Sequence, residues 1–339
     1  MPLTLRPYTA NTYALSKVWF KCSSLNLRTQ DINSINSQVK SWMYQDCLEK
    51  PSELTLYRKT ENGGLGLFNV KIRALSLLIR TFLETAANPQ FRHSLFHEIL
   101  FRYHVQEEVS LPNPGFPPFY DSSFFETIRH YYLNSPLNIA KMSTKDWYRL
   151  LLEDNVLMSK PDDHSPPSLL PTRVEALSPE NDWPETWRLC RIRGLESRLT
   201  TFLFKLLHQL LPTQDRVHRI GVADGDQPGL CQLCLVEAED PLHALFSCLH
   251  SQVAGHALLG YAQKHVPNLS PEAALRLDFG GTRLSDEEEL ATVCLLATGW
   301  LYIWETRVTK KQTALYRMRA ELEAMITLLR KRRYQGVGE

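Results

Sequence analysis

The sequence predicts a mainly α-helical protein in which one small metal-pinned unit sits among longer amphipathic helices. Two observations carry that expectation. Apolar side chains recur at steps of three and four along much of the chain, the period of a single buried helix face. The interruption that matters is CQLCLVEAEDPLHALFSC, which places Cys231 and Cys234 two residues apart, His243 eight further on and Cys248 after another four.

Composition bounds the rest. At 339 residues with 43% apolar side chains, the chain has material for ordinary globular cores and for more than one domain. Lys plus Arg (38) nearly equals Asp plus Glu (37), so any nucleic-acid footprint has to be local. Seven cysteines, unevenly placed, do not make a secreted disulfide scaffold, and an intracellular, reducing location (nucleus or cytoplasm) is expected. The first twenty residues lack the charged start and apolar run of a secretory signal. The longest apolar run, Leu290 to Trp304, falls short of the roughly twenty residues that cross a bilayer, so a buried helix is expected there.

From Asn11 to about Val105 the pattern is helical, with Ile32, Ile35, Val39, Trp42 and Met43 on one face and Val70, Ala74, Leu77, Leu78 and Phe82 on another. Glu61 to Leu67 (ENGGLGL) breaks it with a turn, and lacks both the G-x-G-x-x-G spacing and the Lys-Ser/Thr ending of phosphate loops. His93 and His97 stand one turn apart without the glutamate of an H-E-x-x-H site and read as structural. LPNPGFPPF (111–119) is a proline-rich connector, Ser143 and Asp146 cap a short helix, and KPDDHSPPSLLP (160–171) is a second connector whose Asp162, Asp163 and His164 nothing holds in place. Next comes a helix with Leu199, Phe202, Leu206 and Leu210 inward and Lys205 and His208 off that face; Asp215 then caps a turn holding Arg216, His218 and Arg219. After the cysteine motif, Ser285 and Glu288 form a capping box for a helix striped by Leu290, Val293, Ala297, Trp300 and Trp304. A last amphipathic stretch, Leu315 to Leu329, ends in Arg330-Lys-Arg-Arg333.

A Cys-x2-Cys turn aims two thiolates at one ion, and His-x4-Cys supplies two more ligands, so Cys231, Cys234, His243 and Cys248 complete a closed tetrahedral zinc site. His250 is an alternative to His243 as the fourth ligand. A closed shell leaves no position for a reacting water, which makes the expected Zn(2+) structural. Asp240 and Pro241 suit the start of a short helix carrying His243. Upstream, Arg191, Arg193, Arg198, Lys205, Arg216 and Arg219 form a local basic cluster suited to nucleic-acid phosphates.

Three stretches together carry a family resemblance. ELTLYRKTENGGLGLFNVKIRALSLLIRTFLETA (53–86) resembles the segment after the palm and thumb in the reverse transcriptase of LINE-type non-LTR retrotransposons. RGLESRLTTFLFKLLHQLLPTQDRVHRIG (193–221) followed by the Cys-x2-Cys-x8-His-x4-Cys motif is similar to that family's reverse transcriptase zinc-binding domain, and WLYIWETR (300–307) to its C-terminal helix. The resemblance implies a helical region resembling the post-palm segment over 1–110, a proline-rich connector with a short helix over 111–171, the zinc-binding domain over 172–265, and C-terminal helices with a basic end over 266–339. It departs from the family in one decisive respect. The family's pair of adjacent aspartates behind an aromatic residue, of the type FADD or YADD, which holds the polymerase's two metal ions, occurs nowhere, and Tyr120-Asp-Ser-Ser123 is the nearest string. The expectation is therefore a non-catalytic, zinc-stabilised remnant that binds RNA or target DNA. Its alternatives are a protein-docking module acting through Leu315 to Leu329, including docking to an intact reverse transcriptase, and an unselected truncated copy.

Overall fold

The computed structural model describes residues 1–22, 27–45, 50–88, 90, 94–102, 105, 122–134, 141–153, 175, 178–221 and 229–309. The expected mainly α class is what forms. The helices are α1 (Ser16–Cys22), α2 (Thr29–Met43), α3 (Val70–Ala87), α4 (Ser94–Phe101), α5 (Ser122–Asn134), α6 (Thr144–Glu153), α7 (Trp183–Cys190), α8 (Ser197–Leu207), α9 (Gln214–Arg219), α10 (Gln252–Ala262) and α11 (Asp286–Val308), with shorter turns between them. Among the described residues the extended pairing is limited to one antiparallel bridge, Leu230 with Ala238.

Local chemistry starts these helices where the sequence places caps. Ser143 and Asp146 bond reciprocally at the head of α6, the Ser143 hydroxyl accepting from Asp146 N–H at 3.3 Å and the Asp146 carboxylate from Ser143 N–H at 3.0 Å. Ser285 and Glu288 do the same at the head of α11, whose first turn also carries Asp286, Glu287 and Glu289 against the positive end of the helix dipole. In α11 the residues from Val293 to Trp304 are largely buried, among them Val293, Leu296, Trp300 and Ile303. It is a core helix, and no described helix is long and apolar enough to cross a membrane.

Buried apolar residues gather in two clusters. One core draws residues between Leu3 and Val70 together with residues between Trp183 and Trp304, centred on Trp187, Phe204, Phe246 and Trp300. The other, built from Ile72 to Leu151, packs α3 against α4, α5 and α6 around Phe82, Phe124 and Trp147. The two clusters meet in the first turn of α3, where Asn69 caps the helix and its own N–H donates to the Tyr148 hydroxyl at 3.0 Å. The ENGGLGL turn belongs to the first cluster. Leu65 and Leu67 are buried, and Gly63, at φ +75°, passes so close to Trp187 that a Cβ would stand 2.4 Å from the indole.

Candidate metal centre

The four expected ligands converge, and two pieces of backbone bring them together. The first is a hairpin closed by the Leu230–Ala238 bridge, in which Cys231 N–H donates to Glu237 O (2.8 Å) and Leu235 N–H to Cys231 O (2.9 Å). Leu235 takes φ +59° at its tip, which turns Cys234 back toward Cys231. The second is a single π turn, His243–Ser247, started by Asp240, whose carboxylate accepts from His243 N–H at 2.7 Å. Cys248 N–H donates to His243 O across five residues at 2.8 Å. On an α-helix, residues five apart would lie about 140° apart round the axis. The wider π turn brings Cys248 back toward the side of His243.

Ligand-atom distances test whether an ion fits. Cys231 Sγ and Cys248 Sγ are 3.8 Å apart, Cys234 Sγ and His243 Nε2 are 3.4 Å apart, and all four atoms lie within 4.8 Å of one another. The sulfurs are far beyond the roughly 2.05 Å of a disulfide. A tetrahedral ion bonded to sulfur at about 2.3 Å and to nitrogen at about 2.05 Å would hold sulfur pairs about 3.8 Å apart and sulfur and nitrogen about 3.5 Å apart. The residues fit such an ion. Cys231, His243 and Cys248 are buried and Cys234 is half-buried, so the shell is closed to solvent on most sides.

The surroundings shift two of the thiols in opposite directions. Desolvation opposes ionisation of Cys234, yet N–H groups of Glu237 and Val236, with Cys231 and His243 beside it, bring the thiol down to about 7. Cys248 goes the other way, pushed up to about 12 by desolvation and by the neighbouring Cys231 and Cys234 sulfurs, against a bond from His250 N–H.

Two functional residues were not evident from the motif. Glu237 accepts from His243 Nδ1 at 2.9 Å, the carboxylate contact that fixes the tautomer of a metal-ligating histidine and leaves Nε2 free to bind the ion. Glu239 is fully buried, pairs with Arg307 of α11, and caps α9 by accepting from Gln214 N–H at 3.2 Å. The expected cap from Asp215 is not formed. Helix α9 starts two residues beyond Leu211-Pro212, at Gln214, and Asp215 lies inside it, paired with Arg219 at 2.6 Å. Of the two candidate histidines, His243 lies in the cluster, while His250 is exposed and contributes its backbone N–H to Cys248.

The six expected phosphate-binding residues do not form one exposed patch. Arg216 is buried, lining a cavity of about 400 Å³ with Thr213, Asp215, Arg219 and Asp240 beside the metal hairpin. Arg191 is half-buried, donating to Gly64 O and lying over the Phe204 ring, with its pKa lowered by desolvation. Arg198 and Arg219 are exposed but paired, with Glu305 and Asp215. Arg193 is exposed and Lys205 half-buried, and neither has an acidic partner among the described residues. Arg198 and Lys205, seven residues apart, share a face of α8. Outside the described residues lie His93, Asp162, Asp163, His164, Tyr120, the Leu315–Leu329 stripe and the Arg330–Arg333 end. No protein-family model and no curated protein matches the chain, so its function has to be argued from these residues.

Proposed function

We propose that the chain is a non-catalytic nucleic-acid-binding protein whose binding region is organised by one structural Zn(2+), and that it derives from the C-terminal part of a LINE-type reverse transcriptase. The observation that supports this reading is the convergence of three cysteines and one histidine, with Glu237 behind His243, a donor set and ligand-atom spacing that suit zinc. A closed set of four protein ligands offers no open coordination position, and the polymerase's FADD- or YADD-type motif is absent from the sequence, so the ion's part is to hold the hairpin, the π turn and α9 together.

Binding would come from phosphate neutralisation by Arg193, Arg198, Lys205 and Arg219. Arg191 and Arg216 act instead from within, positioning the Gly64 turn and α9. An exposed ion pair contributes little, so Arg198 and Arg219 can leave Glu305 and Asp215 for a phosphate at small cost.

The test uses the full chain. About one zinc per chain, loss of helicity on chelation, and RNA or DNA binding that weakens steeply with salt are the expected results. Replacing Arg193, Arg198, Lys205 and Arg219 together with alanine should lower the salt dependence by up to about four ions. Absence of zinc, or binding that salt does not weaken, overturns the reading.

A further inference from the structure

Two side chains beside the metal hairpin have polar groups that the fold does not use. Helix α8 closes in a Schellman turn, with Leu210 N–H donating to Lys205 O at 2.6 Å and Gln209 N–H to Leu206 O at 3.0 Å. That turn holds Gln209 at φ +54°, the left-handed position that glycine fills with least strain. The Gln209 amide has no hydrogen-bond partner among the described residues, so the helix end gains nothing from a glutamine there. Thr213 stands at the N-cap of α9, yet its hydroxyl does not cap; the Glu239 carboxylate accepts from Gln214 N–H instead. Thr213 is 2% exposed, and its hydroxyl likewise has no partner among the described residues. Backbone strain kept for a spare amide, next to a spare buried hydroxyl, is the pattern of a binding site.

Both residues line the cavity of about 400 Å³ beside the hairpin, a size that suits a small ligand. Gln209, Asp240 and Pro241 also line an adjoining hollow of about 210 Å³, whose other walls include Leu206, Leu207, Leu242 and Leu275. The amide and the Asp240 carboxylate therefore stand at the neck between a polar space and an apolar one. In the larger space Arg216 and Arg219 are balanced by Asp215 and Asp240, so a free anion gains little there and a neutral polar ligand is favoured. An amide offers a donor and an acceptor side by side, the pair that reads the edge of a base, while a carboxylate only accepts and selects an amino group. Leucine walls suit the faces of a flat ring.

We infer that Gln209 and Asp240 read the edge of one unstacked nucleobase that carries an exocyclic amino group, such as cytosine, held between the leucine-lined hollow and the larger cavity. The ring lies against the leucines, and the sugar and phosphate occupy the larger cavity beside Thr213, with the exposed Arg219 at the phosphate. This inference rests on the nucleic-acid reading above and deepens it, adding choice of base to the neutralisation of phosphate by Arg219. A paired duplex hides the edge that Gln209 and Asp240 would read, so the ligand is a single strand. The pocket is also tied to the metal centre, because the Asp240 carboxylate accepts from His243 N–H at 2.7 Å and so takes its position from the turn that carries a metal ligand.

The experiment titrates the full zinc-loaded chain with fluorescent oligo(C) and oligo(U) of equal length. Wild type should bind oligo(C) about tenfold more tightly. Gln209→Gly removes the amide and relieves the left-handed strain, so its thermal midpoint should equal or exceed that of wild type while the preference for oligo(C) falls below about threefold. Thr213→Val keeps the shape and loses no cap bond, and should weaken both oligonucleotides roughly three- to tenfold without lowering the thermal midpoint. Equal affinity of wild type for the two oligonucleotides, or an unchanged preference in Gln209→Gly, overturns the base pocket; if binding is then still lost in the Arg193/Arg198/Lys205/Arg219 alanine variant, the phosphate reading stands alone. A wild type that binds neither oligonucleotide overturns both. Gln209-dependent binding of a lysine-rich peptide, with equal binding of oligo(C) and oligo(U), assigns the cavity to a protein ligand and likewise overturns the base pocket.

Discussion

Arg307, near the end of α11, and Glu239, in the outgoing arm of the metal hairpin, form an ion pair with almost no access to water: their side chains are 7% and 0% exposed. Trp304 lies under the guanidinium, with its ring centroid 4.6 Å from the central carbon. Burial lowers Arg307 to about 10, which leaves it charged at neutral pH, and the Cys231 sulfur nearby favours that charge. The pair therefore ties hairpin and last described helix together, and through Glu239 it also holds the start of α9. Removing one partner strands the other charge in the interior, so Arg307→Leu or Glu239→Leu should each cost about 3–5 kcal/mol in denaturant unfolding of the metal-loaded protein. The double variant should cost clearly less than the sum of the two. Single-variant losses below about 1 kcal/mol would show that the pair does not brace the hairpin.

Glu237 gives a sharper test of the metal centre than the ligands themselves, because changing a ligand destroys the site. Its side chain is 64% exposed, so Glu237→Gln leaves the packing in place and weakens only the contact with His243 Nδ1. Zinc affinity measured by competition with a chelator should fall roughly 10- to 100-fold. His250→Ala should leave it unchanged, since that ring lies outside the cluster.

What was legible in the sequence follows from how local each feature is. Cys231, Cys234, His243 and Cys248 were readable because the ligands and the turns that aim them lie within one short stretch, and the two capping boxes for the same reason. Glu237 was not, because a glutamate in a polar turn has the pattern of a solvated residue until the hairpin brings it back to His243. The basic residues were misleading in part. Charge alone does not show that Arg216 is buried or that Arg191 is held by Gly64, since those neighbours come from elsewhere in the chain. Likewise ENGGLGL was readable as a turn, but its seat against Trp187, which brings Leu65 and Leu67 into one core with α7 and α8, is a long-range contact that periodicity does not encode.

That seat can be tested by comparing two left-handed glycines. Gly63 (φ +75°) and Gly221 (φ +69°) carry similar backbone strain on substitution, but a Cβ at Gly221 meets nothing within 4 Å while one at Gly63 meets the Trp187 ring. Gly221→Ala should cost about 1 kcal/mol from backbone conformation alone. Gly63→Ala adds a clash that has to move the indole, so thermal unfolding should show a loss larger by roughly 1–3 kcal/mol. Equal losses at the two positions would mean that Gly63 does not seat the turn on Trp187.

The same junction makes stability depend on pH through His208. Its ring stacks on Trp187 at 4.8 Å and its Nε2 lies 2.7 Å from Gly63 O, to which the neutral Nε2–H donates. Desolvation lowers its pKa to about 4, against support from the Gly63 carbonyl and Glu175 and with Arg191 and Arg58 further disfavouring the charge. The unfolded chain, where histidine titrates near 6.5, therefore takes up the proton first on acidification. The contribution is fully present above about pH 6.5 and is lost as pH falls toward 4, at up to about 1.4 kcal/mol per pH unit. Carboxylates elsewhere also respond in this range, so the measurement is the difference between wild type and His208→Phe, which keeps an aromatic ring against Trp187 and cannot titrate. The variant should be less stable at neutral pH, having lost the bond to Gly63, and its stability should fall less steeply between pH 6.5 and 4. Parallel curves would place the acid sensitivity elsewhere and show that protonation of His208 does not open this junction.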